Sequence, residues 1–139
     1  MEKEFILYEQ ALALKELGFD EPCFGYYDGN HNLQFMYNGI PEKFSEKMMG
    51  VSDSVWVGWI SAPTLSQAFR WFREKVGYFQ LFDYQHGDSK INRGFFFNII
   101  NIDNEDFFFP EDFENQIYKT YEEAELECLK KLIEIKKNK

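Results

Sequence analysis

Sixteen phenylalanines in a chain of 139 residues with a formal net charge of −9 set the strongest constraint on what this sequence can fold into. Rings at that density have to be buried, while the excess acid stays in water. With tyrosine and tryptophan the aromatic share reaches 19%, too high for a disordered acidic tail and enough for a full core. The length suits a single domain over residues 1–139, able to bury roughly two thirds of the surface that its unfolded chain exposes.

Charge narrows the function classes. Twenty-four acidic against 15 basic residues argue against binding a phosphate backbone, so no direct nucleic-acid contact is expected. The one dense basic group, Lys130, Lys131, Lys136, Lys137 and Lys139, falls at the end of a predicted helix, where lysines complement the dipole. No apolar stretch approaches the ~20 residues that span a bilayer, and no charged-then-apolar leader is present, so a cytoplasmic chain with no membrane contact is expected. Cys23 and Cys128 lack CxxC spacing and a nearby histidine; they read as reduced core residues, a disulfide between them being the alternative.

Periodicity supplies the elements. Leu7, Ala11, Leu14 and Leu17 repeat at helical spacing, and Gly18-Phe19 reads as a glycine stop, predicting a helix over Tyr8 to Leu17. Cys23 to Tyr27 and Leu33 to Tyr37 flank Asp28-Gly29-Asn30-His31-Asn32, which predicts a hairpin. Residues 40–53, with Pro41, Met48, Met49 and Gly50, read as a mobile excursion. Val55 to Ile60 reads as a short strand that puts Trp56 and Trp59 on opposite faces. In the helix that follows, Thr64 and Gln67 form a capping box, Leu65, Ala68, Phe69, Phe72 and Val76 a buried stripe, and Gly77 the stop.

Tyr78 to Tyr84 and Gly94 to Ile102 read as a second hairpin, joined through His86-Gly87-Asp88-Ser89. A last helix opens on a second capping box, Thr120 and Glu123, with Tyr121, Ala124, Cys128, Leu132 and Ile135 on its apolar face. The order predicts an α+β fold, a mainly antiparallel sheet of four to five strands with three helices packed on one face.

Chemistry-bearing patterns are few. His31 and His86 have no second ligand at metal spacing, no GxSxG elbow occurs, and the glycines fall singly at turns, so no catalytic, metal or cofactor residues are assigned. The unusual stretch is 103–115, where Asp103, Glu105, Asp106, Glu111, Asp112 and Glu114 enclose Phe107, Phe108, Phe109 and Phe113. It either folds back on the core or forms an acidic aromatic docking surface, in which charge steers a basic partner and rings anchor it. Trp71 lies just off its helix's stripe, so it either edges a ligand pocket with Arg70 and Arg73 or takes a boundary core position.

Three stretches carry a resemblance: Phe19-Asp20-Glu21-Pro22-Cys23-Phe24-Gly25-Tyr26-Tyr27, Ala62-Pro63-Thr64-Leu65-Ser66-Gln67-Ala68-Phe69-Arg70-Trp71-Phe72-Arg73-Glu74-Lys75, and Tyr121-Glu122-Glu123-Ala124-Glu125-Leu126-Glu127-Cys128-Leu129. They resemble uncharacterised small phage- and prophage-associated proteins of Bacteroidetes. The resemblance covers about half the chain, carries no catalytic residues across, and leaves out 40–53 and 103–115. It implies an accessory protein of the host bacterial cytoplasm that binds a host or phage component, and the acidic aromatic segment adds the expectation that this partner has a basic face. A nucleotide-like ligand binder or enzyme at Trp71, Arg70 and Arg73, and a self-assembling structural component, are the alternatives.

Overall fold

The computed structural model describes residues 2–36, 39–43, 59–87, 93–105, 107–108 and 117–138. It is an α+β protein with two antiparallel sheets, and the chain divides into two compact units, Met1–Ala68 and Phe69–Lys139. Trp56, most of the 40–53 excursion and much of 103–115 lie outside the described residues.

In the first unit, helix α1 (Tyr8–Glu16) ends as its glycine stop predicts. Gly18 takes φ 101°, its amide reaches the Lys15 carbonyl at 3.1 Å, and the Phe19 amide reaches Leu14 at 3.0 Å. That pair of bonds closes the last turn and buries Phe19 and Leu14. Strands β1 (Gly25–Tyr27) and β2 (Leu33–Phe35) form the first hairpin, three residues to a strand. Its turn is held by Asp28, whose Oδ1 accepts from the Asn30 and Asn32 amides at 2.9 and 3.0 Å. The left-handed position falls on His31, φ 64°, whose ring stacks on Tyr8 at 3.8 Å and so ties the turn to the start of α1.

The third strand runs past its expected end. Residues 55–58 of the strand expected over Val55 to Ile60 lie outside the described residues, and Ile60 opens β3 (Ile60–Ala62), which pairs against β1 with Tyr27 opposite Ile60 and Gly25 opposite Ala62. All three residues of β3 are buried, and α1 packs on this strand. Burial on both faces hides the extension to Ala62 from sequence: Ile-Ser-Ala has no alternation for a period-two reading to find. Gly25 fits here because a Cβ would lie 2.9 Å from the Phe5 ring.

Helix α2 (Leu65–Trp71) continues into a π-helical turn, Phe72–Val76, before Gly77 takes φ 91° and donates to the Phe72 carbonyl at 2.8 Å. Its predicted capping box is half made. Thr64 Oγ1 accepts from the Gln67 amide at 3.1 Å, but the Gln67 side chain donates to the Pro22 carbonyl at 2.9 Å instead of returning to the cap.

In the second unit, β4 (Tyr78–Gln85) and β5 (Gly94–Asn101) pair over eight residues, from Tyr78 opposite Asn101 to Gln85 opposite Gly94. β6 (Phe107–Phe108) adds to the far edge of β5, opposite Ile100 and Ile99. Helix α3 (Tyr121–Lys137) is capped by Thr120, whose Oγ1 accepts from the Glu123 amide at 3.1 Å. It packs on β4 and β5, and Ala124, Cys128, Leu129, Leu132, Ile133 and Ile135 are buried along it.

The strands therefore do not form one sheet of four to five with three helices on one face. Among the described residues they form two three-stranded sheets, in the orders β2-β1-β3 and β4-β5-β6, and no common sheet there carries all three helices. Local pattern identifies a strand by which faces it buries; it holds no information on the partner across the ladder.

Candidate functional site

The covered face of the second sheet carries Tyr78, Gln80, Phe82 and Tyr84 from β4 opposite Asn101, Ile99, Phe97 and Phe95 from β5. Strand alternation puts Phe79, Leu81, Asp83 and Gln85 on the other face with Ile100, Asn98 and Phe96. Leu81 is 46% exposed there, a large apolar side chain left in water in the middle of the ladder. Burial along β4 falls from Tyr78, which is buried, to Tyr84, Gln85 and His86, which are exposed.

Aromatic contacts follow the same gradient. Phe69 meets Phe82 at 5.8 Å, Phe82 meets Phe97 and Tyr121 at 6.4 and 5.1 Å, and Tyr121 meets Phe95 at 5.7 Å. Phe95 meets Tyr84 at 5.1 Å, and Tyr84 meets His86 at 5.0 Å. The rings thus lead from buried Phe69 and Phe97 to a surface where Tyr84 and Tyr121 are 37% and 40% exposed. Their mutual angles, 55° to 82° along this path, are those of edge-to-face packing, which aligns ring edges with the electron-rich faces of neighbours.

Backbone pairing fixes this surface. Phe95 and Tyr118 exchange amide–carbonyl bonds of 2.8 Å in both directions, which brings the start of α3 alongside β5. Neighbouring Gly94 permits the approach: a Cβ there would collide with the Ile117 side chain and the Tyr118 carbonyl. Burial, with Glu125 as a second cause, pushes the Tyr121 phenol up; burial, then Glu122, pushes the Glu125 carboxyl up.

Of the partner-binding candidates from sequence, Phe107 and Phe108 form β6 at the edge of this sheet. Asp106, Phe109, Glu111, Asp112 and Phe113 lie outside the described residues. Of the ligand-pocket candidates, Trp71 is 6% exposed and packs edge-on to Phe72 at 5.0 Å, the boundary core position, while Arg70 and Arg73 are exposed. The exposed tyrosines were not singled out by sequence reading. Tyr121 belongs to the apolar stripe that the sequence places on the buried face, but as the first residue of its helix it stays 40% exposed even as its ring meets Phe82 and Phe95.

Both cysteines are buried free thiols. Burial, with Glu21 adding to it, pushes the Cys23 thiol up to about 12 against hydrogen bonds from Gln67 and Ser61, and burial likewise raises Cys128. Neither presents a thiolate for nucleophilic chemistry near neutral pH. Among the described residues no group of three or more His, Cys, Asp or Glu side chains could hold a metal ion. No helix among them is long and apolar enough to cross a membrane.

No family model matches this chain, and no curated protein or solved structure matches it either.

Proposed function

We propose that this chain is a non-enzymatic interaction protein that binds a protein partner with a basic face through an acidic, aromatic surface centred on the second sheet. The observation that supports this most is the exposure of Tyr84 and Tyr121, one on β4 and one at the start of α3, beside a sheet whose edge strand is formed by Phe107 and Phe108. Two residues of the stretch that the sequence marks for docking thus belong to the sheet that carries the exposed rings. Exposed aromatic anchors within acidic surroundings suit an interface in which rings contribute affinity and charge contributes steering. That the partner is a host or phage protein rests on the resemblance of the three helix and hairpin stretches to phage-associated proteins.

Affinity capture from host bacterial lysate tests the reading when wild type is compared with Tyr84→Asp, a substitution at a side chain exposed enough to change without unfolding the chain. The expected result is one stoichiometric protein, retained by wild type at low salt, released at high salt and lost from the variant. The same proteins on both baits, or an empty eluate, overturns it.

A further inference from the structure

The aromatic end of the second sheet has a geometry beyond mere exposure. Tyr84 and Phe95 are direct cross-strand partners, and Tyr121 reaches Phe95 from the first turn of α3. The Tyr84 and Tyr121 rings stand at 69° and 82° to that of Phe95, with centroids 5.1 and 5.7 Å away. Two phenols thus stand nearly upright to a single phenyl ring at the protein surface. Phe82 backs Tyr121 at 5.1 Å, so the inner side of the group is filled by core rings and its outer side meets solvent.

The surrounding charge is mainly negative. Glu122 and Glu123 occupy the first turn of α3 and Glu125 acts on Tyr121, against the bases Arg93 and Lys119. The two first-turn carboxylates outweigh the half positive charge of the helix start. Rings at right angles with carboxylates beside them attract cations, and guanidinium suits them better than ammonium because it is planar and weakly hydrated.

We propose that Tyr84, Phe95 and Tyr121 form an aromatic box that holds an arginine side chain of the basic partner. This rests on the reading of the chain as an interaction protein and names the group that the surface recognises.

The test is a titration of the full chain, with its tyrosine rings isotopically labelled, by the peptide Gly-Arg-Gly-Arg-Gly and by its citrulline counterpart, which keeps the shape and loses the charge. Saturable shifts of the Tyr84 and Tyr121 ring resonances are expected with arginine and not with citrulline. Tyr84→Leu and Tyr121→Leu should each weaken arginine-peptide binding by about two- to fivefold, whereas Tyr84→Phe, which keeps the ring, should bind as wild type does. Circular dichroism confirms that each variant is folded.

Equal response to the citrulline peptide, or undiminished binding by the folded leucine variants, overturns the box. That failure is distinguishable from failure of the broader reading. If Tyr84→Leu and Tyr121→Leu still capture the lysate partner as wild type does, the interaction stands without the box. If wild type captures nothing, the interaction falls while the peptide titration still decides whether the box takes a cation.

Discussion

The two sheets bury their residues by different means. In the first unit the ladder is only three residues long, but β3 is buried throughout and side chains lock the backbone around it. The Tyr27 hydroxyl donates to the Ile6 carbonyl at 2.7 Å, and the Ile6 amide donates to Pro63 at 3.1 Å. In the second unit the β4–β5 ladder runs eight residues, yet its cover stops short of the end, where Tyr84 and His86 meet water. A short strand needs burial from its neighbours; a long hairpin is held by its own pairing and can afford an uncovered tip. The uncovered tip is where recognition chemistry can sit.

If burial rather than ladder length sets local stability, Leu14→Ala and Leu132→Ala should cost about the same, on the order of 2–5 kcal/mol each in urea unfolding, because both side chains are at most 1% exposed. A clearly smaller loss at Leu14 would mean that the long ladder, not burial, carries the stability. A finer contrast comes from glycine. Gly94→Ala should lose about 1–3 kcal/mol because the new methyl meets backbone that is itself paired, and Gly25→Ala should lose less because the Phe5 ring can move. Thermal melts of the two variants rank them directly.

Smaller still, Tyr27→Phe should cost about 0.5–1.5 kcal/mol by leaving the buried Ile6 carbonyl without its donor. Thr120→Ala should cost about 1 kcal/mol through the lost cap of α3. A Tyr27→Phe variant as stable as wild type would show that the first unit does not depend on its side-chain lock.

The smallest effects are in pH dependence, and the two units should differ in sign. The Asn32 amide, and then the Asn30 amide and Gln34, hold the Asp28 carboxyl down against slight desolvation. What it contributes is present above the unfolded value of about 3.9 and is lost as pH falls through the lower folded value. Glu125 is held up by burial, so its charge disfavours the folded state at neutral pH, and that penalty is relieved as pH falls through the raised folded value toward about 4.3. Urea unfolding from neutral to acidic pH should therefore show Asp28→Asn flattening the acid loss and Glu125→Gln giving a small gain at neutral pH. A Glu125→Gln variant less stable than wild type at pH 7 contradicts the second sign.

Much of the fold was legible because local physical chemistry repeats. Gly18 and Gly77 stop helices where only a left-handed residue closes the last turn, and Thr64 and Thr120 cap them where an amide needs an acceptor. That β3 runs on to Ala62 was not legible, because Ile60, Ser61 and Ala62 are all buried and leave no alternation. Of the binding surface, the edge pairing of Phe107 and Phe108 and the exposed group at Tyr84, Phe95 and Tyr121 were not legible: the first depends on a partner strand and the second on a helix start meeting a hairpin far from it in sequence.

The sequence by itself determined the α+β class, the helix ends, both hairpins and the need to bury aromatic rings, because each follows from residues within a few positions of one another. Only the tertiary structure decided that the strands divide between two sheets, that Trp71 lies inside, and that Tyr84 and Tyr121 stand outside around Phe95. Strand partnership and exposure depend on residues far apart in the chain, and a local pattern records which side of an element is apolar without recording what covers it.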